Sequence, residues 1–179
     1  DSLLQYVGFS NIAFNENGVR KLKDHVRLDF DGIAQGYSVD VLAALLESKG
    51  IYNYLVEIGG EVRCRGRKNA STEWTIAIDD PQRPEGEALI VSLRNRAATT
   101  AGNYRDHYRQ NGQTFNHIIN PKTGFSRQDT LLSVTVFADD AITADAYYTA
   151  FIVMGLSATK AFLAAHPKGY AALIYLNKQ

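Results

Sequence analysis

Tyr52-Asn53-Tyr54-Leu55-Val56-Glu57-Ile58-Gly59-Gly60-Glu61-Val62-Arg63-Cys64-Arg65-Gly66 decides the fold class. Tyr52–Ile58 alternates and is rich in β-branched and aromatic residues, so it reads as a strand. Gly59-Gly60 reads as a tight turn, and Glu61–Gly66 runs back as a second strand. A hairpin makes an antiparallel pair. N-terminal to it, Ala34–Lys49 carries an apolar stripe at helical spacing (Val39, Leu42, Ala43, Leu45, Leu46), stopped by Gly50. C-terminal to it, Trp74–Ile78 is a third strand closed by Asp79-Asp80-Pro81. Ala88–Leu93 and Arg96–Ala101 form an expected hairpin around Arg94-Asn95. Gln113–Ile119 leads into the turn Asn120-Pro121-Lys122-Thr123-Gly124, and Leu131–Ala138 alternates. Two helices follow, Ala141–Met154 ended by Gly155, and Ser157–Ala165 with Ser157 as N-cap and Pro167 as stop. Tyr170–Leu176 is the last strand. The order is helix, several strands, two helices, strand, so the class is α+β with a largely antiparallel sheet.

The 179 residues suit one domain. Nineteen Lys and Arg balance nineteen Asp and Glu, which argues against non-specific nucleic-acid binding. Cys64 is the sole cysteine, so neither an internal disulfide nor a Cys-rich zinc site is available. The four histidines show no i,i+4 ligand pairing. The opening residues have no basic and apolar leader pattern. The longest apolar stretch, around Ala150–Met154, is far below the roughly 18 residues of a spanning helix.

Five segments carry possible chemistry. Leu28–Asp40 (LDFDGIAQGYSVD) sets two carboxylates and a glycine just before the expected helix start. Free N–H groups there suit phosphate, and the aspartates suit a metal or a ribose hydroxyl. An N-capped loop with Asp31 as cap explains the same residues. Gly59-Gly60 permits close approach of a ligand, or makes a plain turn. Ala97–Arg105 (AATTAGNYR) offers small residues and hydroxyls for a pocket lining, or is a strand-to-loop transition. His117, at a strand end before Asn120-Pro121, is a candidate acid or base by its near-neutral pKa, or a structural histidine. Asp145 and Thr149, four apart, share a face of an otherwise apolar helix. A hard cation such as Mg²⁺ would satisfy both with oxygen ligands, whereas a first-turn capping Asp needs none.

Taken together and in order, LDFDGIAQGYSVD, EIGGEVR, TTAGNYR, HIINPKTG, SVTVFA and ADAYYTAFIVMG resemble the FAD:protein FMN transferase family, the ApbE-like flavin transferases. The resemblance runs from about Leu4 to Leu176. It implies a tunnelling-fold type of α+β domain, an antiparallel sheet with packed helices, spanning residues 1–179. It implies Mg²⁺-dependent cleavage of FAD, with FMN attached by a phosphoester to a Thr or Ser of a target protein and AMP released. Position by position, Asp29, Gln35 and Ile118 match flavin-nucleotide contacts. The Gly32 carbonyl, Asp145 and Thr149 match metal ligands. His117 is the candidate for positioning or deprotonating the acceptor hydroxyl. The helix N-termini near Gly32 and Ala144 would face the phosphates.

The chain departs from the family pattern at Gln35, where most members have Lys, at Asp31 in place of Gly, and at Asn120 in place of Asp. The family also carries a further N-terminal segment with strands and FAD contacts, including an aromatic stack on the flavin. The chain is therefore expected to be the C-terminal part of a longer protein. The resemblance places that full-length protein in the cell envelope, on the periplasmic side, as an inner-membrane lipoprotein. Two alternatives share these residues: an FAD-binding or FAD-pyrophosphatase relative, and a truncated non-catalytic module.

Overall fold

The computed structural model describes residues 3–83, 88–102, 107–110, 113–116, 118–125, 131–167 and 170–176, with backbone alone at 101–102, 107–110 and 113–116. Eleven strands are described: β1 (Ile12–Asn15), β2 (Gly18–Lys21), β3 (Tyr54–Ile58), β4 (Glu61–Arg65), β5 (Trp74–Ile78), β6 (Leu89–Leu93), β7 (Ala97–Gly102), β8 (His107–Gln110), β9 (Gln113–Asn116), β10 (Leu131–Ala138) and β11 (Ala171–Leu176). Three α-helices are described, α1 (Asp31–Ser48), α2 (Ala141–Met154) and α3 (Leu156–Ala165), with single 3-10 turns at Leu4–Tyr6 and Phe9–Asn11. None is long and apolar enough to cross a membrane.

The central sheet has five strands in the order β11-β10-β7-β4-β3, every pair antiparallel. Its two faces bury different partners. On one face Ala97, Val134, Val136 and Ala138 pack with Val39 of α1 and with Ala141, Ala144, Phe151 and Ile152 of α2. On the other, Val62, Cys64 and Ala98 pack with Leu93 of β6 and against Trp74 and Ile76 of β5. Covering on both sides explains why Ser133 and Thr135 are as buried as the valines between them. Thr135 meets this demand by a hydroxyl pair with Thr100 at 2.9 Å.

The expected α+β class and the Gly59-Gly60 hairpin are both present, with Gly59 at φ 67° and Gly60 at 109°. Four local expectations are corrected. β6 and β7 do not form a hairpin. β6 pairs with β5, while β7 pairs with β4 and β10. At Arg94-Asn95 the chain steps between sheets, and Asn95 (φ 51°) fixes the step by accepting the Gly66 N–H at 2.9 Å. Helix α1 starts at Asp31 rather than Ala34, so Asp31 and Gly32 belong to its first turn. Asp31 is not its cap: Phe30 holds that position, and the Asp29 carboxylate accepts the Asp31 N–H at 2.9 Å. Ser157 is not the cap of α3, because Gly155 (φ 79°) turns the chain directly from α2 into α3. The hairpins β1–β2 and β8–β9 had no expected counterpart.

Candidate functional site

Helices α1 and α2 cross on the sheet at Gly36. A Cβ on Gly36 would lie 2.4 Å from the Ala141 carbonyl oxygen and 2.8 Å from Asp145 Cβ, so only glycine allows the contact. Through this gap the Gly36 N–H donates to Asp145 Oδ2 at 2.9 Å. In a regular helix that N–H points toward the carbonyl of residue 32. Asp145 is therefore held against the first turns of α1, on the side of the Gly32 carbonyl. It is 1% exposed, and burial raises its carboxyl above the usual range while the Gly36 N–H opposes the rise. Thr149, one turn on along α2, is half-buried.

A buried polar layer lies on the same face of the sheet. Glu61 of β4 is paired in register with Thr99 of β7. Both are buried, and among the described residues Glu61 Oε2 and Thr99 Oγ1 have no hydrogen-bond partner. Burial raises the Glu61 carboxyl, and the neighbouring charge of Asp145 adds to the rise. Leaving such an oxygen unpaired costs about 1–3 kcal/mol. The Gln35 amide reaches the same place: its Nε2 lies 2.7 Å from where a Gly59 Cβ would stand. Gly59 thus leaves room for Gln35 beside the hairpin turn.

The expected sites fare differently. Asp145 of α2 meets α1 at Gly36, one turn from Gly32; Thr149 follows one turn on along α2, and Gln35 reaches the Gly59 turn. Asp29 stands exposed just before the α1 N-terminus, its carboxylate accepting the Asp31 N–H. Beside it opens a cleft of about 980 Å³, lined among others by Tyr6, Phe9, His25, Phe30 and Ile33. Ile118 packs against the core on the helix-covered face of the sheet. His117 lies outside the described residues, as do Asn103 and Tyr104.

The expectation that both helix N-termini face phosphate is corrected. The first N–H groups of α2 are taken: Asp40 accepts from Ala141 and Ile142 at 3.0 and 2.9 Å, and Asp140 accepts from Thr143 at 2.9 Å. Asp40 also binds Arg63 at 2.6 Å. Asp40 and Asp140 thus take the N–H groups an anion would use there; α1 also starts with two carboxylates, Asp29 and Asp31, but Asp29 takes only the Asp31 N–H. No three His, Cys, Asp or Glu side chains among the described residues converge as a metal cluster. A cation here would need hydroxyl and backbone oxygens as well. Those are what Thr149 and Gly32 offer beside Asp145, and the set suits a hard ion.

The profile of the ApbE family matches residues 1–174. The chain belongs to the ApbE family. A FAD:protein FMN transferase of Haemophilus influenzae is 36% identical over 156 residues, covering 84% of this chain and 45% of that protein. One of Vibrio cholerae is 38% identical over 151 residues, covering 83% and 45%. The solved flavin transferase ApbE of Vibrio cholerae superposes with a TM-score of 0.89 at 32% identity, over 99% of this chain and 56% of that one. The ApbE protein of Thermotoga maritima gives 0.84 at 34% identity, over 98% and 57%. The chain spans about half the length of the curated relatives it matches.

Within this ApbE-family domain the sequence reading passed over Gly36, Asp40, Glu61 and Thr99 as individual residues. A glycine inside a helix was a signal for Gly36, since it costs about 1 kcal/mol there without a packing reason. Nothing local marks Asp40, whose partners lie 101 and 102 residues away.

Proposed function

We propose that this domain carries the metal and phosphate side of a flavin transferase that moves FMN from FAD to a Ser or Thr hydroxyl of an acceptor protein. The carrying observation is the Gly36–Asp145 contact, which joins two motifs 109 residues apart into one site. Family membership and relatives named FAD:protein FMN transferase support the same reading.

The acceptor oxygen attacks the FMN phosphorus, the hydroxyl proton is lost, and the P–O bond to AMP breaks. Positioning and charge neutralisation dominate such a displacement. The α1 terminus presents backbone N–H groups to a phosphate, and Asp29 holds that turn in place. The neutral Gln35 amide donates hydrogen bonds where a lysine would add charge. Asp145, Thr149 and the Gly32 carbonyl would hold Mg²⁺, which when bound neutralises the pyrophosphate and the departing AMP. His117 is assigned to the acceptor hydroxyl, as its general base or its positioning group.

The test is a mass measurement. The chain is incubated with FAD, Mg²⁺ and an acceptor protein bearing an exposed Ser or Thr. A mass gain of one FMN on the acceptor, with AMP in solution, is the expected result. Free FMN with an unmodified acceptor would replace the transferase by a pyrophosphatase. Unchanged FAD would sink both.

A further inference from the structure

Glu61 opens β4 with 5% of its surface exposed, and its Oε2 is unpartnered. Its cross-strand neighbour Thr99 is fully buried, with an unpartnered Oγ1. Apolar residues of like shape would fill these places without giving up hydration. Two oxygens without partners among the described residues, on a cross-strand pair and within reach of the charge of buried Asp145, point to something they bind. Glu61 and Asp145 lie near enough for their charges to repel, and Arg63 and Arg65, the basic side chains on this face of β4, are engaged by Asp40 and Glu47. The layer therefore lacks positive charge of its own.

We infer that Glu61 is a further cation-holding residue of this site, its carboxylate beside the Thr99 hydroxyl and facing a divalent ion bound at Asp145 and Thr149. This rests on the reading of Asp145 and Thr149 as metal ligands. In this reading the Glu61 contact runs through metal-bound water. Magnesium-type ions keep several waters, and carboxylates that hold such waters tune affinity. Glu61 is a positioning residue here: it touches the ion's water rather than the reacting atoms.

The probe is Mn²⁺ alone, titrated calorimetrically into the parent, Glu61→Gln, Thr99→Val and Asp145→Asn, with melting temperatures taken without and with saturating Mn²⁺. Glu61→Gln keeps the shape and removes the charge. It is expected to weaken Mn²⁺ about tenfold or more, and to raise the metal-free melting temperature while shrinking the Mn²⁺-induced rise. A purely structural Glu61 would not give that opposed pair of changes. Asp145→Asn is expected to abolish binding. Parental affinity in Glu61→Gln, with binding lost in Asp145→Asn, overturns the Glu61 inference and leaves the Asp145 reading standing. Parental affinity in Asp145→Asn, or no binding by the parent, overturns both. If Glu61→Gln fails to fold, Thr99→Val decides: severalfold weaker binding supports the inference, and parental affinity overturns it.

Discussion

Asp145 shows how much one buried side chain is asked to do. Its carboxylate is almost wholly out of water and, among the described residues, receives a single hydrogen bond, from Gly36. A carboxylate with two oxygens and one donor is poorly satisfied unless something else binds it. Asp145→Ala is accordingly expected to eliminate Mg²⁺ binding and FMN transfer while circular dichroism stays parental. Calorimetric Mg²⁺ titration checks this, and retained parental affinity would remove the metal role from α2. Gly32 makes the complementary case. Its assigned donor is a backbone carbonyl, and a Cβ added there meets nothing within 4 Å. Gly32→Ala should therefore leave Mg²⁺ affinity unchanged, and a loss in the same titration would mean the backbone assignment is wrong.

At the scale of elements, the site depends on how closely α1 and α2 approach. The Gly36 contact is backbone to backbone, so neither partner can swing aside. Gly36→Ala should cost about 3 kcal/mol or more, at the upper end for overpacking, read from urea midpoints. An unchanged midpoint would show that the helices separate freely. The start of α2 is fixed by Asp40, which caps two of its N–H groups and pairs with Arg63. Asp40→Ala removes the cap and leaves a half-buried guanidinium without its carboxylate. A loss of about 2 kcal/mol is expected. The Asp40→Asn variant, which keeps an acceptor but loses the charge, should recover part of it. These contacts explain what was legible here. The bounds of α2 follow from local pattern, because Asp140, Gly155 and the apolar run between them are adjacent in sequence. The early start of α1 was not legible: Phe30 as a cap breaks the usual preference, and Asp29 supplies the hydrogen bond from one residue further back.

Across the whole molecule, the buried acids set a pH dependence. Asp145 and Glu61 are both raised, mainly by burial. A raised acid binds its proton more tightly folded than unfolded, so its contribution is full below the ordinary carboxylate pKa and is lost as pH rises through the folded value. Glu47 acts in the opposite sense: hydrogen bonds from Tyr54 and Arg65 lower it, so its contribution fades as pH falls. The difference between parent and Glu61→Gln isolates the first effect. Without divalent metal, the variant's melting temperature should equal or trail the parent's in acid, and exceed it increasingly above the ordinary Glu range. A difference independent of pH would mean Glu61 titrates no differently in the folded chain. Saturating Mg²⁺ should narrow the gap, since a ligand bound only by the folded state stabilises by mass action.

By itself the sequence determined the class, the Gly59-Gly60 hairpin, the strands β5 and β10, helix α2 and the order of motifs that marks the ApbE family. Each of these rests on periodicity or turn chemistry within a few residues, which needs no knowledge of the rest of the chain. Only the tertiary structure decided that β6 leaves β7 for β5, that Asp40 rather than phosphate occupies the start of α2, and that Glu61 and Thr99 pair as a buried polar couple on the helix-covered face of the sheet. Those facts are pairings across tens to a hundred residues. A strand's hydrogen-bonding edge carries no address in its side chains, and a carboxylate's partner is chosen by which helix the sheet brings beside it.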